Sequence, residues 1–318
     1  MFKNKCLHVF LAASACAASA HAQDYPNRPI RLLTATAAGS GSDVVARIIG
    51  GKLTEVLGKQ IVVDNRAGVN GLLAAEILAR AAPDGYTVGI VTLTQLLSTV
   101  LYQRFPMDRD FAPVSRVGST PFVIAASPKL PAKTIAELIA YAKAQPGQVM
   151  YASGGQGSIG HLCMEVFQSV AGVNLTHVPY KSSILAVTDL GGGQVQLLCS
   201  AVPTIHATLQ SAKARALAIT SREPSKLASG VPTVLSTVQG VEMDGWYGII
   251  APLGTPRPVV AKLNGAIAQV LGQPEIQERL LTVGAEALTS TPAAFGDFLR
   301  GEAQRWTKVM RDAGIKPQ

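Results

Sequence analysis

From Pro29 onward the chain repeats one local pattern: a short continuous apolar run, a turn rich in glycine and serine, then a helix with apolar residues at 3.6-residue spacing. Apolar runs without alternation are strands buried on both faces, and strands that feed helices in this way pair in parallel, so the pattern restricts the chain to an α/β fold. The first series reads as strand Ile30 to Ala35, turn Ala38-Gly39-Ser40-Gly41-Ser42-Asp43, helix Val44 to Leu57, strand Gln60 to Asp64, helix Gly71 to Ala81 and strand Thr87 to Thr92. The second opens with strand Phe122 to Ala126 and helix Ile135 to Ala144. It continues through strand Val149 to Ser153, helix Gly160 to Ala171, strand Thr176 to Pro179, helix Ser183 to Leu190, strand Gln194 to Ser200, helix Pro203 to Gln210 and strand Ala214 to Ser221. After a strand at Trp246 to Ala251, Pro252 to Pro256 leads into three helices ending near Gly314, without strands of their own, which are expected to return over the first series.

Two series imply two cores, because a single hydrophobic core stops growing at about 250–300 residues. The expected division is a leader at 1–22, a first domain at 23–122 completed by 246–318, and an inserted second domain at 123–245. Crossings near Phe122 and Gly245 would make a hinge, and closure about a hinge is how such clefts engulf ligands.

The leader itself reads as a secretory signal: Lys3 and Lys5 precede an apolar stretch from Cys6 to Ala18, ending in the small-residue site Ala20-His21-Ala22, so the mature chain is expected to start near Gln23. Ala13-Ser14-Ala15-Cys16 loosely resembles a lipoprotein box but has Ala13 where a larger aliphatic residue is usual. No later run approaches the ~18 apolar residues of a membrane span. The expectation is a periplasmic, soluble protein.

The formal charge of +8 falls to +6 once the two leader lysines are removed. A mildly basic surface suits anionic ligands, and with no block of like charges and no interleaved aromatics it gives no reason to expect nucleic acid. Of the four cysteines, Cys6 and Cys16 leave with the leader. Cys163 and Cys199 either form a disulfide in an oxidising compartment or stay apart as buried apolar residues; the helix and strand settings favour the second.

Two turns carry the binding chemistry. Each joins the end of a strand to a helix start, where free N–H groups and the positive end of the helix dipole face outward and favour an anion. The first is Ala38, Gly39, Ser40, Gly41, Ser42 and Asp43; the second is Ser153-Gly154-Gly155-Gln156-Gly157-Ser158, entering the helix at Gly160-His161. Neither contains Lys or Arg, so a carboxylate would be held by backbone N–H groups and by the hydroxyls of Ser40, Ser42, Ser153 and Ser158, with Thr92, Thr94 and Gln95 at the end of the third strand lining the same cleft. Asp43 is expected to act as an N-cap that shapes its loop. His161 is either a polar donor at the cleft or a structural residue of the first helical turn.

Other chemistries find less support. Gly155-Gln-Gly157-Ser-Ile-Gly160 matches a dinucleotide fingerprint, but the following strand ends at Tyr180-Lys181, without the acid that would hold a ribose. The histidines and cysteines lack metal-ligand spacing. Neither Gly-Ser turn has the spacing of a nucleophile elbow, and Asp64, Asp84, Asp108 and Asp110 sit in separate polar turns. No cofactor, metal or catalytic residue is expected. An exported α/β hydrolase remains the alternative from another class; a periplasmic sensor that presents its ligand to a signalling partner would share the site.

In order along the chain come Tyr25-Pro-Asn-Arg-Pro29-Ile, Ala38-Gly39 with Asp43 and Ala46-Arg47, Asp64-Asn-Arg66 with Gly68 and Gly71, and Pro83-Asp-Gly-Tyr-Thr87. Tyr151-Ala-Ser153 with Gly155, Gly157-Ser158 and His161-Leu follow, then His177-Val-Pro-Tyr180-Lys181, Arg215 to Ser221, Val231-Pro-Thr233, Trp246 with Gly248, Ala251-Pro and Gly254-Thr-Pro256. This ordered set resembles the substrate-binding proteins of tripartite tricarboxylate transporters, the TctC-like Bug receptors, over essentially the whole mature chain. The resemblance implies a two-domain type II periplasmic-binding fold with a hinge and an interdomain cleft. It also implies a carboxylate gripped between the two loops, delivery to a membrane permease and no catalysis; Tyr180 is expected among the ligand-binding residues, and the protein is expected to act as a monomer. Ala35-Thr36 stands where Pro-Phe is usual, Ser40 and Asn70 where Gly is usual, Ala67 for Pro, Ser182 for Gly and Leu185 for Pro. Ser40 adds a hydroxyl at the ligand loop, while Ser182 and Leu185 are expected to alter the second domain's wall.

Overall fold

A computed structural model describes residues 25–68 and 71–312; the leader with its cleavage site and Cys16, the Asn70 position and the expected terminus at Gly314 lie outside the described residues. The strands are β1 (Ile30–Thr34), β2 (Ile61–Asn65), β3 (Thr87–Thr92), β4 (Phe111–Ala126), β5 (Met150–Ser153), β6 (Thr176–Pro179), β7 (Leu197–Ala201), β8 (Arg215–Ile219), β9 (Asp244–Pro252) and β10 (Glu286–Ala287). The helices are α1 (Gly41–Leu57), α2 (Leu72–Ala79), α3 (Leu93–Tyr102), α4 (Ile135–Ala144), α5 (Ile159–Ala171), α6 (Ser183–Gly192), α7 (Val202–Gln210), α8 (Arg257–Leu271), α9 (Pro274–Thr282) and α10 (Pro292–Asp312).

The strands follow the order β2-β1-β3-β9-β4-β7-β5-β6, with β8 and β10 each pairing β4 off this path. β1 pairs in parallel with β2 and β3, and β5 in parallel with β6 and β7. The parallel sets are therefore the two strand–turn–helix series. β4 joins them: Phe111 to Pro121 run antiparallel to β9, and Phe122 to Ala126 run antiparallel to β7 and β8. Thr120 stands opposite Gly245 and Pro121 opposite Asp244, so the two connections between the lobes lie side by side in one ladder.

Three elements differ from the sequence reading. β4 extends well upstream of Phe122, because Pro113, which lacks an N–H and disguises the run, sits where the register with β9 shifts and no donor is needed. α3 takes up a segment to which the sequence reading assigned no element, placing Thr94 and Gln95 only at the end of the third strand; Thr92 and Gln95 form a capping box that ends the strand and starts the helix, so Thr94 and Gln95 belong to its first turn. The returning C-terminal segment is not free of strands, since β10 pairs Glu286 and Ala287 with Ser119 and Gly118.

Cys163 on α5 and Cys199 on β7 form a disulfide, with Cα atoms 6.3 Å apart. The sequence reading had favoured two separate thiols; helix position and strand run each describe one residue, and only the packing of α5 on β7 shows that their Cβ atoms meet. That packing is close, because a Cβ at Gly160 would lie 2.6 Å from the Cys199 carbonyl oxygen.

Candidate functional site

A cavity of about 620 Å³ opens between the lobes. Its walls draw on the starts of five helices: Ser40 to Ser42 for α1, Thr92 to Thr94 for α3, Ser158 to Gly160 for α5, Ser183 for α6, and Ala201 with Thr204 for α7. Each helix start leaves unpaired N–H groups and roughly half a positive charge. Among the described residues, none of the side chains lining the cavity is charged. Its polarity comes from hydroxyls, amides and backbone.

Of the expected site residues, Ser40, Ser42, Thr92, Thr94, Gly157 and Ser158 line this cavity. The hydroxyls of the first loop are linked: Ser40 Oγ donates to Thr36 Oγ1 at 2.5 Å, Thr36 Oγ1 and Ser42 Oγ are 2.6 Å apart, and Ser42 Oγ is 3.3 Å from Thr34 Oγ1. Thr36, which the sequence reading noted only as a departure from the family pattern, is the centre of that network. Thr120, Ser183, Ser200, Thr204 and Tyr247 also line the cavity and were missed. Isolated hydroxyls on strands and helix starts carry no spacing signal, and only the topology brings them to one place.

Ala38, Gly39, Asp43, Gln95, Ser153, Gly155, His161 and Tyr180 do not line the cavity. Several of them hold the loops that do. Asp43 is the third residue of α1 rather than its N-cap, which is Ser40. Its carboxylate accepts from the Gly39 N–H at 2.8 Å, from Arg47 and from Asn65 Nδ2. Burial alone would raise its pKa, but these hydrogen bonds outweigh it and hold the carboxyl below the usual range. Gln95 is buried, its Oε1 accepting from the Thr92 N–H at 2.6 Å. Tyr180 points its hydroxyl to Asp189 at 2.7 Å.

Behind the second loop, His161 and His177 stack at 4.1 Å, with Tyr151 stacked on His177 at 4.8 Å. His161 Nδ1 accepts from the Gly157 N–H at 3.0 Å, and His177 Nε2 lies 2.7 Å from Ser153 Oγ. Gly157 has φ +75°, a conformation a side chain resists, so the histidine fixes a turn that glycine makes accessible. Burial lowers both histidine pKa values, that of His177 to about 4 with the His161 charge adding to the effect, while Glu165 opposes. His161 thus serves the second loop as a hydrogen-bond acceptor instead of lining the cavity. The Ser153–His177 pair is not a nucleophile and base at the cavity, since Ser153 is fully buried.

Ser182 caps α6 through its Oγ, and Leu185 is 52% exposed, so neither forms part of the cavity wall as expected from the sequence. No helix among the described residues is long and apolar enough to cross a membrane, and no cluster of three or more His, Cys, Asp or Glu among them is arranged to hold a metal.

The geometry has close counterparts. BugT of Bordetella pertussis is 34% identical over 313 residues, covering 97% of this chain and 96% of the relative. A structure described as R. palustris Rpa4515 with adipate is 33% identical with a TM-score of 0.75, covering 93% of this chain and 100% of the other. MatC from Rhodopseudomonas palustris with bound malate is 30% identical with a TM-score of 0.71, covering 90% and 99%. The profile of the tripartite tricarboxylate transporter family receptor matches residues 45–315. With one fold and one sequence pattern running through nearly its whole length, the chain belongs to the TctC family of tripartite tricarboxylate transporter receptors.

Proposed function

We propose that this receptor is exported to the periplasm by a leader at residues 1–22, captures a small carboxylate-bearing metabolite between its two lobes, and delivers it to the permease of a tripartite tricarboxylate-type transporter. The lobes are assigned as residues 23–122 with 246–318, and 123–245. The observation that carries the reading is the convergence of five helix starts on a cavity that, among the described residues, no charged side chain lines. An anion placed there meets backbone N–H groups, hydroxyls and dipoles from both lobes, and is favoured without a counter-charge whose own desolvation would offset the gain. Ser40, Ser42, Thr92, Thr94, Gly157 and Ser158 are assigned to direct contact; Asp43, Gln95, Ser153 and His161 hold the loops. Relatives described with adipate and with malate support a carboxylate as the ligand class.

The test is a thermal-shift and calorimetric screen of the purified mature protein against mono-, di- and tricarboxylates and aromatic acids. At least one acid is expected to raise the melting temperature and bind with one-to-one stoichiometry, without being consumed. If no acid binds, while esters or amides are turned over and Ser158→Ala abolishes that turnover, the chain is an exported hydrolase instead.

A further inference from the structure

The helix starts at the cavity are not equally free. α3 opens with the capping box of Thr92 and Gln95, Ser158 Oγ accepts from the His161 N–H at the start of α5, and Ser182 Oγ accepts from the Leu185 N–H at the start of α6. α7 carries Pro203 in its first turn, which removes a donor. At α1 the N-cap residue is Ser40, whose side chain makes no capping hydrogen bond; its Oγ donates to Thr36 instead. Asp43, also in that first turn, directs its carboxylate to Gly39, Arg47 and Asn65. α1 therefore offers the fullest set of first-turn N–H groups to an incoming acceptor.

Tyr247 stands beside that start. It lies on β9 between Thr92 of β3 and Gly118 of β4, and it lines the cavity half-buried. A Cβ at Gly41, the first residue of α1, would lie 3.2 Å from Tyr247 Oη, and a Cβ at Gly118 would lie 3.5 Å from its ring. Two glycines thus make the room in which the ring reaches the helix start. Among the described residues the phenol has no hydrogen-bond partner, and burial alone pushes its pKa up, so it stays a donor. A tyrosine hydroxyl withdrawn from bulk water usually finds a partner. This one faces the cavity instead.

We propose that Tyr247 is a ligand-contacting residue whose phenolic O–H donates to a carboxylate seated on the first-turn N–H groups of α1. This deepens the carboxylate-receptor reading and rests on it. The donor comes from β9, a strand at the junction of the lobes, and not from either glycine-rich loop. A carboxylate has two oxygens with about four lone-pair sites, so it can accept from the helix start and from the phenol together. The rigid ring fixes the direction of the phenol's bond and with it the orientation of the acid.

The experiment is calorimetric titration of the wild-type mature protein and of Tyr247→Phe with succinate, adipate, malate, citrate and benzoate, together with thermal unfolding of both without ligand. For each acid that the wild type binds, Tyr247→Phe should bind about tenfold to a hundredfold more weakly, the worth of a hydrogen bond to a charged acceptor. Because the hydroxyl has no partner within the described protein, the unliganded variant should melt at or above the wild-type temperature. An affinity within about twofold of wild type for every acid bound would overturn the assignment and leave the carboxylate receptor intact. A loss of affinity accompanied by a lower unliganded melting temperature would overturn it too, since that marks a structural hydroxyl. Should Tyr247→Phe not fold, ortho-fluorotyrosine incorporated at this one position keeps the hydroxyl. Its fluorine resonance should move on saturation with a bound acid, and an unmoved resonance would exclude the contact. If no acid binds the wild type, the receptor reading itself falls and this inference with it.

Discussion

Asp244 occupies the point where β9 enters the first lobe, directly opposite Pro121. Among the described residues three buried side-chain atoms lack a hydrogen-bond partner, Arg116 Nε, Thr120 Oγ1 and Asp244 Oδ1, and all three lie on these two adjoining strands. Burial pushes the Asp244 carboxyl up to about 6; Arg116 and Arg305 pull it down, and Glu302 and Glu286 add to the rise. Because the folded value lies above the ordinary one, the folded state holds the proton more tightly. The stability this group contributes is therefore complete below about pH 4 and is lost as the pH rises through 6. Asp244→Asn should remove that loss, gaining about 1–3 kcal/mol at pH 7.5, at roughly 1.4 kcal/mol per pK unit, and leaving stability at pH 4 nearly unchanged. Urea denaturation at the two pH values checks it; a variant less stable than wild type at pH 7.5 would show that the charge is needed for Arg116. At this scale the sequence was only partly legible. Ser40, Ser42, Ser158 and Gly157 could be placed because they sit in glycine-rich turns before helices, a signal local to the chain. Thr36, Thr120, Ser183 and Ser200 could not, because each becomes part of the cavity only through contacts made by distant segments.

At the scale of elements, most strands and helices followed from apolar period and turn residues, and the misreadings share one cause. α3 begins without a glycine or proline between it and β3, so the only boundary is the capping box of Thr92 and Gln95, two residues that in isolation read as strand-end polar groups. β4 is broken in sequence by Pro113 but continuous in space because the bulge there absorbs it. The disulfide belongs to this scale as well. It ties α5, whose start forms the second loop, to β7, whose Cys199 lines the cavity, and it closes 36 residues of chain. A cross-link over such a span stabilises a fold by about 2–4 kcal/mol, chiefly by restricting the unfolded chain. Reduction, or replacement of both cysteines by alanine, should accordingly lower the urea midpoint and loosen the second loop. An unchanged midpoint in the presence of reductant would mean that the packing of α5 on β7 holds without the bond.

For the molecule as a whole, two domains and two crossings were expected from length and from the two strand series; β4 runs from one sheet into the other, and the start of β9 pairs beside it at Thr120 and Pro121. The cores proved less separate than two series suggest. One apolar cluster runs from Leu33 and Leu78 through Phe122 and Ile124 to Cys163 and Trp306, because α10 packs against α3, β4 and α5 together. A second tie lies at Glu286, whose Oε1 accepts from Ser225 Oγ and the Lys226 N–H, each at 2.6 Å, across the assigned boundary. These contacts tie the two assigned lobes together and oppose a wide hinge motion about the paired strands. They do not remove the driving force for closure in the proposed capture: the helix starts lining the cavity come from both lobes, and closure would bring both sets nearer to one ligand. A ligand shifts a conformational equilibrium only by such a difference in contacts. The most direct measurement is small-angle X-ray scattering of the mature protein with and without a saturating concentration of its tightest-binding acid. The predicted result is a smaller radius of gyration in the bound state; an unchanged radius at full saturation would place the acid within one lobe and contradict capture between the two.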